Sequence, residues 1–133
     1  MSEMYEKGLA NRREVLGAEY VDRAINGADR FNAGFQHLLT TYCWGEIWSG
    51  EGLDRRQRSL NNLCMTAASG RMHEFELHFR GALRNGVTLA ALRDTLMQIA
   101  VYCGMPAGVE SFRIARKVFA ELGIDPETDD SLG

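Results

Sequence analysis

Residues 85–106 read NGVTLAALRDTLMQIAVYCGMP, and this stretch holds a helix end, a helix start and a second helix end. Asn85 and Gly86 are typical of a left-handed helix C-terminus. Thr88 is a favourable N-cap for the following helix, which we expect to end at Gly104. The apolar side chains of that helix recur at helical spacing, at positions 92, 96, 99 and 100. Capped helices in direct succession therefore decide the class of the fold.

The same pattern continues on both sides of this stretch. Periodic apolar side chains bounded by glycine or by capping residues predict six helices, over residues 3–16, 28–44, 55–70, 71–85, 89–104 and 106–122. A further short helix is expected over 19–25. No window alternates with a period of two for long enough to indicate a strand. The sequence thus predicts an all-α fold of about six helices.

We expect one helical domain over residues 1–124, followed by an acidic, flexible tail over 125–133. Glycines at 45, 50 and 52 predict a connection over 45–54. The helix at 89–104 looks apolar on more than one face, which favours burial of the second face in an oligomer. The helix at 28–44 carries an amphipathic stripe formed by Phe31, Phe35, Leu38, Leu39 and Tyr42.

Length and charge exclude several classes of protein. The chain has 133 residues, with 15 Lys and Arg against 18 Asp and Glu, for a net charge of −3. That balance argues against a general nucleic-acid binder, and no apolar run is long enough to span a bilayer. Cys43, Cys64 and Cys103 form no CxxC, so we expect reduced thiols and no metal site. With no segment typical of a signal peptide, we expect a cytoplasmic protein without membrane or nucleic-acid partners.

The densest group of chemically competent side chains lies just before the stretch quoted above. On a helix, Glu74 and His78 are one turn apart and Arg71 falls on the same face, while Phe75 and Phe79 line the adjacent face. A carboxylate beside a histidine can fix its tautomer and raise its basicity, and an arginine can bind an anionic substrate. The alternative is a solvated helix face with an i,i+4 salt link.

Three further groups hold candidate site residues. Trp44 and Trp48 lie in a glycine-bounded segment and are candidates for lining a pocket or for anchoring a core or an interface. Arg58 lies near a helix N-terminus together with the arginines at 55 and 56. Positive charges there interact unfavourably with the helix dipole, which indicates a nearby anion or carboxylate. Gln98 and Tyr102, four residues apart in an apolar helix, are expected to be buried polar groups that bond across the core or face a pocket.

Four longer motifs run through the chain: WGEIW at 44–48, GLDRRQRSL at 52–60, HFRGALRNGVT at 78–88 and YCGMP at 102–106. Together they resemble the carboxymuconolactone decarboxylase family, over roughly residues 5–123. The resemblance implies the all-helical fold shared with AhpD-like alkylhydroperoxidases and a homo-oligomer, either a hexamer or a trimer. It also implies decarboxylation of γ-carboxymuconolactone to β-ketoadipate enol-lactone in protocatechuate catabolism.

For this reaction no cofactor is expected, because the lactone ring itself accepts the electron pair released with CO₂. We expect His78 to be the proton donor or the hydrogen-bond partner of the enolate, and Glu74 to orient it. The ligand would be a small carboxylated lactone. The expected substrate-binding residues are Arg71, Arg58, Arg113, Trp44, Trp48, Gln98 and Tyr102.

The resemblance leaves alternatives for the activity. AhpD-like peroxidases carry a CxxC whose second cysteine lies four residues before a histidine. When His78 is matched to that histidine, Arg71 and Glu74 occupy the two cysteine positions, so a thiol peroxidase is disfavoured. Arg113 stands where the decarboxylases usually carry a histidine, which leaves the substrate open. The alternatives are a paralogous lyase or isomerase acting on a different carboxylated lactone or enol, and a non-catalytic helical oligomer.

Overall fold

The computed structural model describes residues 2–133 as helices joined by short connections. The α-helices are α1 (Glu3–Leu16), α2 (Ala18–Asn26), α3 (Ala33–Leu38), α4 (Arg55–Ala68), α5 (Met72–Arg84), α6 (Leu89–Cys103) and α7 (Met105–Leu122). A π-helical segment, Leu39–Ile47, continues α3, and two 3₁₀ turns cover Pro126–Thr128 and Asp130–Leu132. No strand occurs within residues 2–133, so the all-α prediction is confirmed. In the same residues, no helix has the length and apolarity needed to cross a membrane.

The ends of α5 and α6 form as their sequence predicts. After α5, Gly86 adopts a φ of 84°, which suits glycine and ends the helix. The hydroxyl of Thr88 then accepts a hydrogen bond from the backbone N–H of Ala91 at 3.1 Å and caps α6. Gly104, at a φ of 104°, separates α6 from α7, and Pro106 lies in the first turn of α7. Local capping chemistry therefore fixes these boundaries.

The chain divides into two compact units, the first ending at Arg55 and the second running from Arg56 to Gly133. The prediction of one domain over 1–124 stays a prediction. In the second unit, α4 to α7 enclose an apolar core whose members are almost fully buried. Its largest fully buried side chains are Leu63, Phe75, Phe79, Leu92, Leu96, Ile99 and Val118.

In the first unit, α1 packs closely against the π-helical segment. A Cβ atom built on Gly8 would lie 1.9 Å from the carbonyl oxygen of Thr40, so only glycine permits this approach. The guanidinium of Arg12, 3% exposed, donates to Gln36 and to Thr40 across the same interface. These contacts join α1 to residues that are distant in sequence.

The prediction of one helix over 28–44 is wrong at its start. The Asp29 carboxylate accepts hydrogen bonds from the backbone N–H groups of Phe31 and Asn32, and the Asn32 side chain accepts one from the N–H of Asp29. These local bonds hold a turn in place of the first helical turn. As a result, α3 begins only at Ala33.

The predicted connection over 45–54 is wrong at its start as well, because the π-helical segment runs on to Ile47. Gly45 lies inside this segment because the chain passes close to another part of the first unit. A Cβ built there would lie 2.6 Å from the carbonyl oxygen of Met4. The predicted apolar stripe faces largely outward, with Phe31 98% and Phe35 60% exposed, so it does not build the core of this unit.

The C-terminal tail contacts α6. The hydroxyl of Ser131 accepts a hydrogen bond from the backbone N–H of Ala90 at 3.1 Å. The Asp125 and Asp129 carboxylates cap the two 3₁₀ turns. The flexibility expected for residues 125–133 stays a prediction.

Candidate active site

Helix α5 carries the predicted pair of a carboxylate and an imidazole, Glu74 and His78. Phe75 and Phe79 are fully buried, and Glu76 binds Lys117 of α7 at 3.0 Å, so one side of α5 is held against the core. On another face, Glu74 is exposed and His78 is half-buried one helical turn later. The packed side of the helix therefore determines where the His78 ring lies.

Burial determines the charge of His78. Loss of solvation lowers the pKa of His78 from 6.5 to about 4, and the nearby Glu74 charge offsets only part of this effect. The ring is therefore neutral at pH 7. The Glu74 carboxylate raises the pKa of His78 as expected, but desolvation is the larger of the two effects and leaves the ring less basic than an ordinary histidine.

Asn62 of α4 is the contact of His78 that sequence reasoning missed. Its amide nitrogen lies 3.4 Å from Nδ1 and 3.5 Å from Nε2 of the ring. This contact joins two helices, so no spacing rule within one helix reveals it. The available signal was an asparagine inside α4, since asparagine is a weak helix former that usually has another role there.

Two of the predicted arginines lie on the helices that carry this pair. Arg58 is half-buried on α4 and precedes Asn62 by one helical turn, so the two share a face. Arg71 is exposed at the N-terminus of α5, where its backbone N–H donates to the Thr66 carbonyl at 2.8 Å. Within residues 2–133, the guanidinium of Arg71 forms no ion pair. Helices α4 and α5 thus bring cations, an amide and a neutral imidazole into one region.

The prediction that Gln98 and Tyr102 are buried polar groups is wrong. Both are exposed, and Tyr102 is 83% exposed. Helix α6 faces the core with a single stripe formed by Leu89, Leu92, Leu96 and Ile99, and positions 98 and 102 lie well away from it around the helix axis. Their predicted contact with substrate stays a prediction.

Arg113 pairs with a residue of its own helix. It is exposed on α7, forms an ion pair with Glu110, and lines a shallow apolar depression together with Arg116. A second cavity, of about 190 Å³, lies between α6, α7 and the tail. Neither of these cavities includes His78 in its lining. A role for Arg113 in substrate binding stays a prediction.

Trp44 and Trp48 belong to the first unit, where both are buried, at 4% and 7% exposed. Their rings stack with centroids 4.7 Å apart, and the Trp44 carbonyl accepts a hydrogen bond from the Asn11 amide at 2.9 Å. This environment favours the interpretation of the tryptophans as interior anchors. Their role in lining a substrate pocket stays a prediction.

The cysteines and other potential metal ligands are dispersed. Cys43, Cys64 and Cys103 are free thiols, and burial raises the pKa values of Cys43 and Cys64. In the part of the chain that the structure describes, no three His, Cys, Asp or Glu side chains are grouped in a way that could hold a metal ion.

Comparison with known proteins supports one family. A sequence model of the carboxymuconolactone decarboxylase family matches residues 33–117. A 4-carboxymuconolactone decarboxylase of Acinetobacter baylyi is 39% identical over 123 residues, which cover 92% of this chain and 92% of the relative. A nitrosuccinic acid decarboxylase of Metarhizium robertsii is 38% identical over 119 residues, which cover 90% of this chain and 83% of the relative. The chain therefore belongs to the carboxymuconolactone decarboxylase family.

Proposed function

We propose that this protein is a cytoplasmic, cofactor-independent decarboxylase that converts γ-carboxymuconolactone to β-ketoadipate enol-lactone and CO₂ in protocatechuate catabolism. The observation that carries this proposal is the similarity to a 4-carboxymuconolactone decarboxylase over 92% of both chains. Three free cysteines suit the reducing interior of a cell. The polar groups of α4 and α5 supply the chemistry that such a reaction needs.

The substrate carries two carboxylates, and one of them leaves as CO₂. The electron pair of the broken carbon–carboxylate bond spreads through the ring double bond to the lactone carbonyl. The lactone ring therefore acts as the electron sink. Arg58 precedes Asn62 by one helical turn, and Arg71 lies about one turn before Glu74. We assign these two arginines to binding the carboxylates of the substrate. Glu74, on the face of α5 that carries His78, would orient the ring.

The low pKa of His78 distinguishes between the two roles considered for it. A ring with a pKa of about 4 is neutral at pH 7 in the free protein, so it does not hold a proton ready for transfer. A neutral imidazole still donates one N–H to an oxygen that gains negative charge. We therefore assign His78 to hydrogen-bonding the enolate oxygen, with the carbon protonated by water.

The first experiment measures turnover directly. γ-Carboxymuconolactone is generated in situ, purified protein is added, and CO₂ release and enol-lactone formation are followed after subtraction of the uncatalysed rate. We expect His78→Ala to lower kcat by about 100-fold or more, because it removes a group that acts in the transition state. His73→Ala, an exposed histidine on the same helix, is the matched control and should retain activity. An inactive, well-folded parent protein would contradict the proposal.

The pH dependence tests the assigned role of His78. If the neutral ring is the active form, kcat/KM should be constant between about pH 5.5 and about pH 8, because the charge of His78 does not change in that range. If the charged ring were required, kcat/KM would fall about tenfold for each pH unit above the pKa. Such a slope, absent from His78→Gln, would overturn the assignment.

A second candidate activity follows from the relative in Metarhizium robertsii, which is named a nitrosuccinic acid decarboxylase and is 38% identical. A nitro group accepts an electron pair from a neighbouring carbon, so a nitro-substituted dicarboxylic acid could lose CO₂ at the same kind of site. Nitrosuccinate and γ-carboxymuconolactone should be assayed side by side. A kcat/KM for nitrosuccinate more than tenfold above that for the lactone would favour this second function.

We also propose that the protein acts as a homo-oligomer, a hexamer or a trimer. The proposal is supported by exposed apolar side chains on α6 and α7, since monomers rarely leave large apolar patches in water. The patch, which we call the α6–α7 apolar face, comprises Val101, Tyr102, Met105 and Val109, at 71%, 83%, 63% and 69% exposed.

A further inference from the structure

The amide of Asn62 lies beside the His78 ring but does not form a well-aligned hydrogen bond with it. Its nitrogen is almost equidistant from the two ring nitrogens, at 3.4 Å and 3.5 Å. A strong hydrogen bond would point along the lone pair of one nitrogen and would be shorter. The amide therefore lies against the ring instead of being aligned with either acceptor. At this distance and in this arrangement the contact is weak.

The contact with His78 leaves part of the hydrogen-bonding capacity of the Asn62 side chain unused. Within residues 2–133, its side chain makes no hydrogen bond other than the contact with His78. The residue is half-buried, and its amide oxygen is not among the fully buried side-chain oxygens and nitrogens that lack a partner. An amide carries two donor hydrogens and an acceptor oxygen. A neutral imidazole has one acceptor nitrogen, so the contact with the ring uses at most one donor hydrogen and leaves the other for a small molecule bound next to the ring.

We propose that Asn62 is a further catalytic residue, which donates its amide N–H to the substrate oxygen that gains charge as CO₂ leaves. This inference rests on the proposed decarboxylase function. Asn62 and His78 would together provide two uncharged donors for one oxygen. Arg58, one helical turn before Asn62 on α4, would bind a carboxylate nearby.

The chemistry explains why uncharged donors suit this position. The bond between the ring carbon and the carboxylate breaks, and its electron pair passes through the ring double bond to the lactone carbonyl oxygen. CO₂ leaves, and water supplies the one proton that returns the enolate to the neutral enol-lactone. An amide and a neutral imidazole bind the carbonyl oxygen weakly before this step and strongly once it carries charge. The interaction therefore lowers the barrier and does not merely tighten binding.

The test compares kcat and KM of Asn62→Ala with those of Asn61→Ala, using the carboxylated lactone. Asn61 is the adjacent residue, and its side chain accepts a hydrogen bond from Gln57. We expect Asn62→Ala to lower kcat about 100-fold with KM changed by less than about threefold, and Asn61→Ala to leave both unchanged. Asn62→Asp, which is isosteric, should lose at least as much, because its carboxylate repels the enolate. Asn62→Gln, which keeps the amide, should recover part of the loss.

A double variant separates direct contact from positioning. If Asn62 contacts the substrate, Asn62→Ala should lower kcat further when it is added to His78→Ala, although the two losses need not multiply fully because the side chains are neighbours. A double variant no slower than His78→Ala would mean that Asn62 acts only through the ring, and would overturn the inference. So would an unchanged kcat in Asn62→Ala and Asn62→Asp with an active parent. A parent inactive on the lactone would instead overturn the proposed function, and this inference with it.

Discussion

His78 shows how a single buried side chain links stability to pH. The pKa of His78 is about 4 in the folded protein and ordinarily 6.5. Between these two pH values, the ring is protonated in the unfolded chain but neutral in the folded protein. The folded protein therefore has its full free energy of unfolding, as far as His78 is concerned, above about pH 6.5. Part of this free energy is lost as the pH falls toward 4. The loss amounts to at most about 3 kcal/mol.

We predict that His78→Gln unfolds with a weaker acid dependence than the parent. Urea unfolding should be measured at matched protein concentration between about pH 7 and about pH 4, because the proposed association would also contribute to stability. The difference in unfolding free energy between the two proteins should shift in favour of the variant as the pH falls. Other acid-sensitive groups, such as Glu76 with its lowered pKa, are common to both proteins and cancel. Parallel curves would show that the ring is not desolvated.

At the scale of residues, the sequence predicted what one helix determines and missed what two helices determine. Glu74 and His78 share a face because they are one turn apart. The contact between His78 and Asn62 depends on how α4 packs against α5, which no local spacing contains. Tyr102 was misplaced because α6 is apolar on both sides, so its sequence does not reveal which side is inside.

At the scale of elements, capped α-helices were predictable and the π-helical segment was not. Thr88, Gly86 and Gly104 act through their own backbone neighbourhood, so their effect can be recognised in the sequence. The π-helical segment Leu39–Ile47 is instead accompanied by close contacts with α1. Gly45 was interpreted as part of a connection because a close approach between distant backbones and a turn both favour glycine.

We predict that Gly8→Ala strongly destabilises the first unit. The new methyl group would lie 1.9 Å from the Thr40 carbonyl oxygen and 2.8 Å from the Gly45 nitrogen, both backbone atoms that cannot rotate away. Separating α1 from the π-helical segment should cost about 2–3 kcal/mol. Gly34→Ala is the matched control, because no atom lies within 4 Å of a Cβ there and alanine favours helix. Equal unfolding free energies for the two variants, measured in urea, would contradict this packing.

At the scale of the whole molecule, the α6–α7 apolar face would connect the proposed association with the candidate site. Tyr102 was expected to contact substrate, yet it is 83% exposed on this face. A second copy of the chain packed there would remove Tyr102 from water. The exposed position therefore agrees with a substrate-binding role only if the face is covered in the working protein. Association thus becomes the condition on which that role depends.

We predict that Val101→Lys combined with Val109→Lys dissociates the protein toward its 14.9 kDa chain mass. Both side chains are largely exposed in the single chain, so the lysines should not disturb its core, but charges in an apolar interface are costly. Sedimentation velocity should show a parent several times heavier than the variant. The control Ala68→Lys, which changes an exposed alanine of α4, should sediment like the parent.

If Tyr102 joins the site through association, the dissociated variant should also lose turnover while keeping its helical circular dichroism. A parent that sediments as a monomer would show that the face needs no cover, and full activity in a monomeric variant would exclude Tyr102 from a shared site.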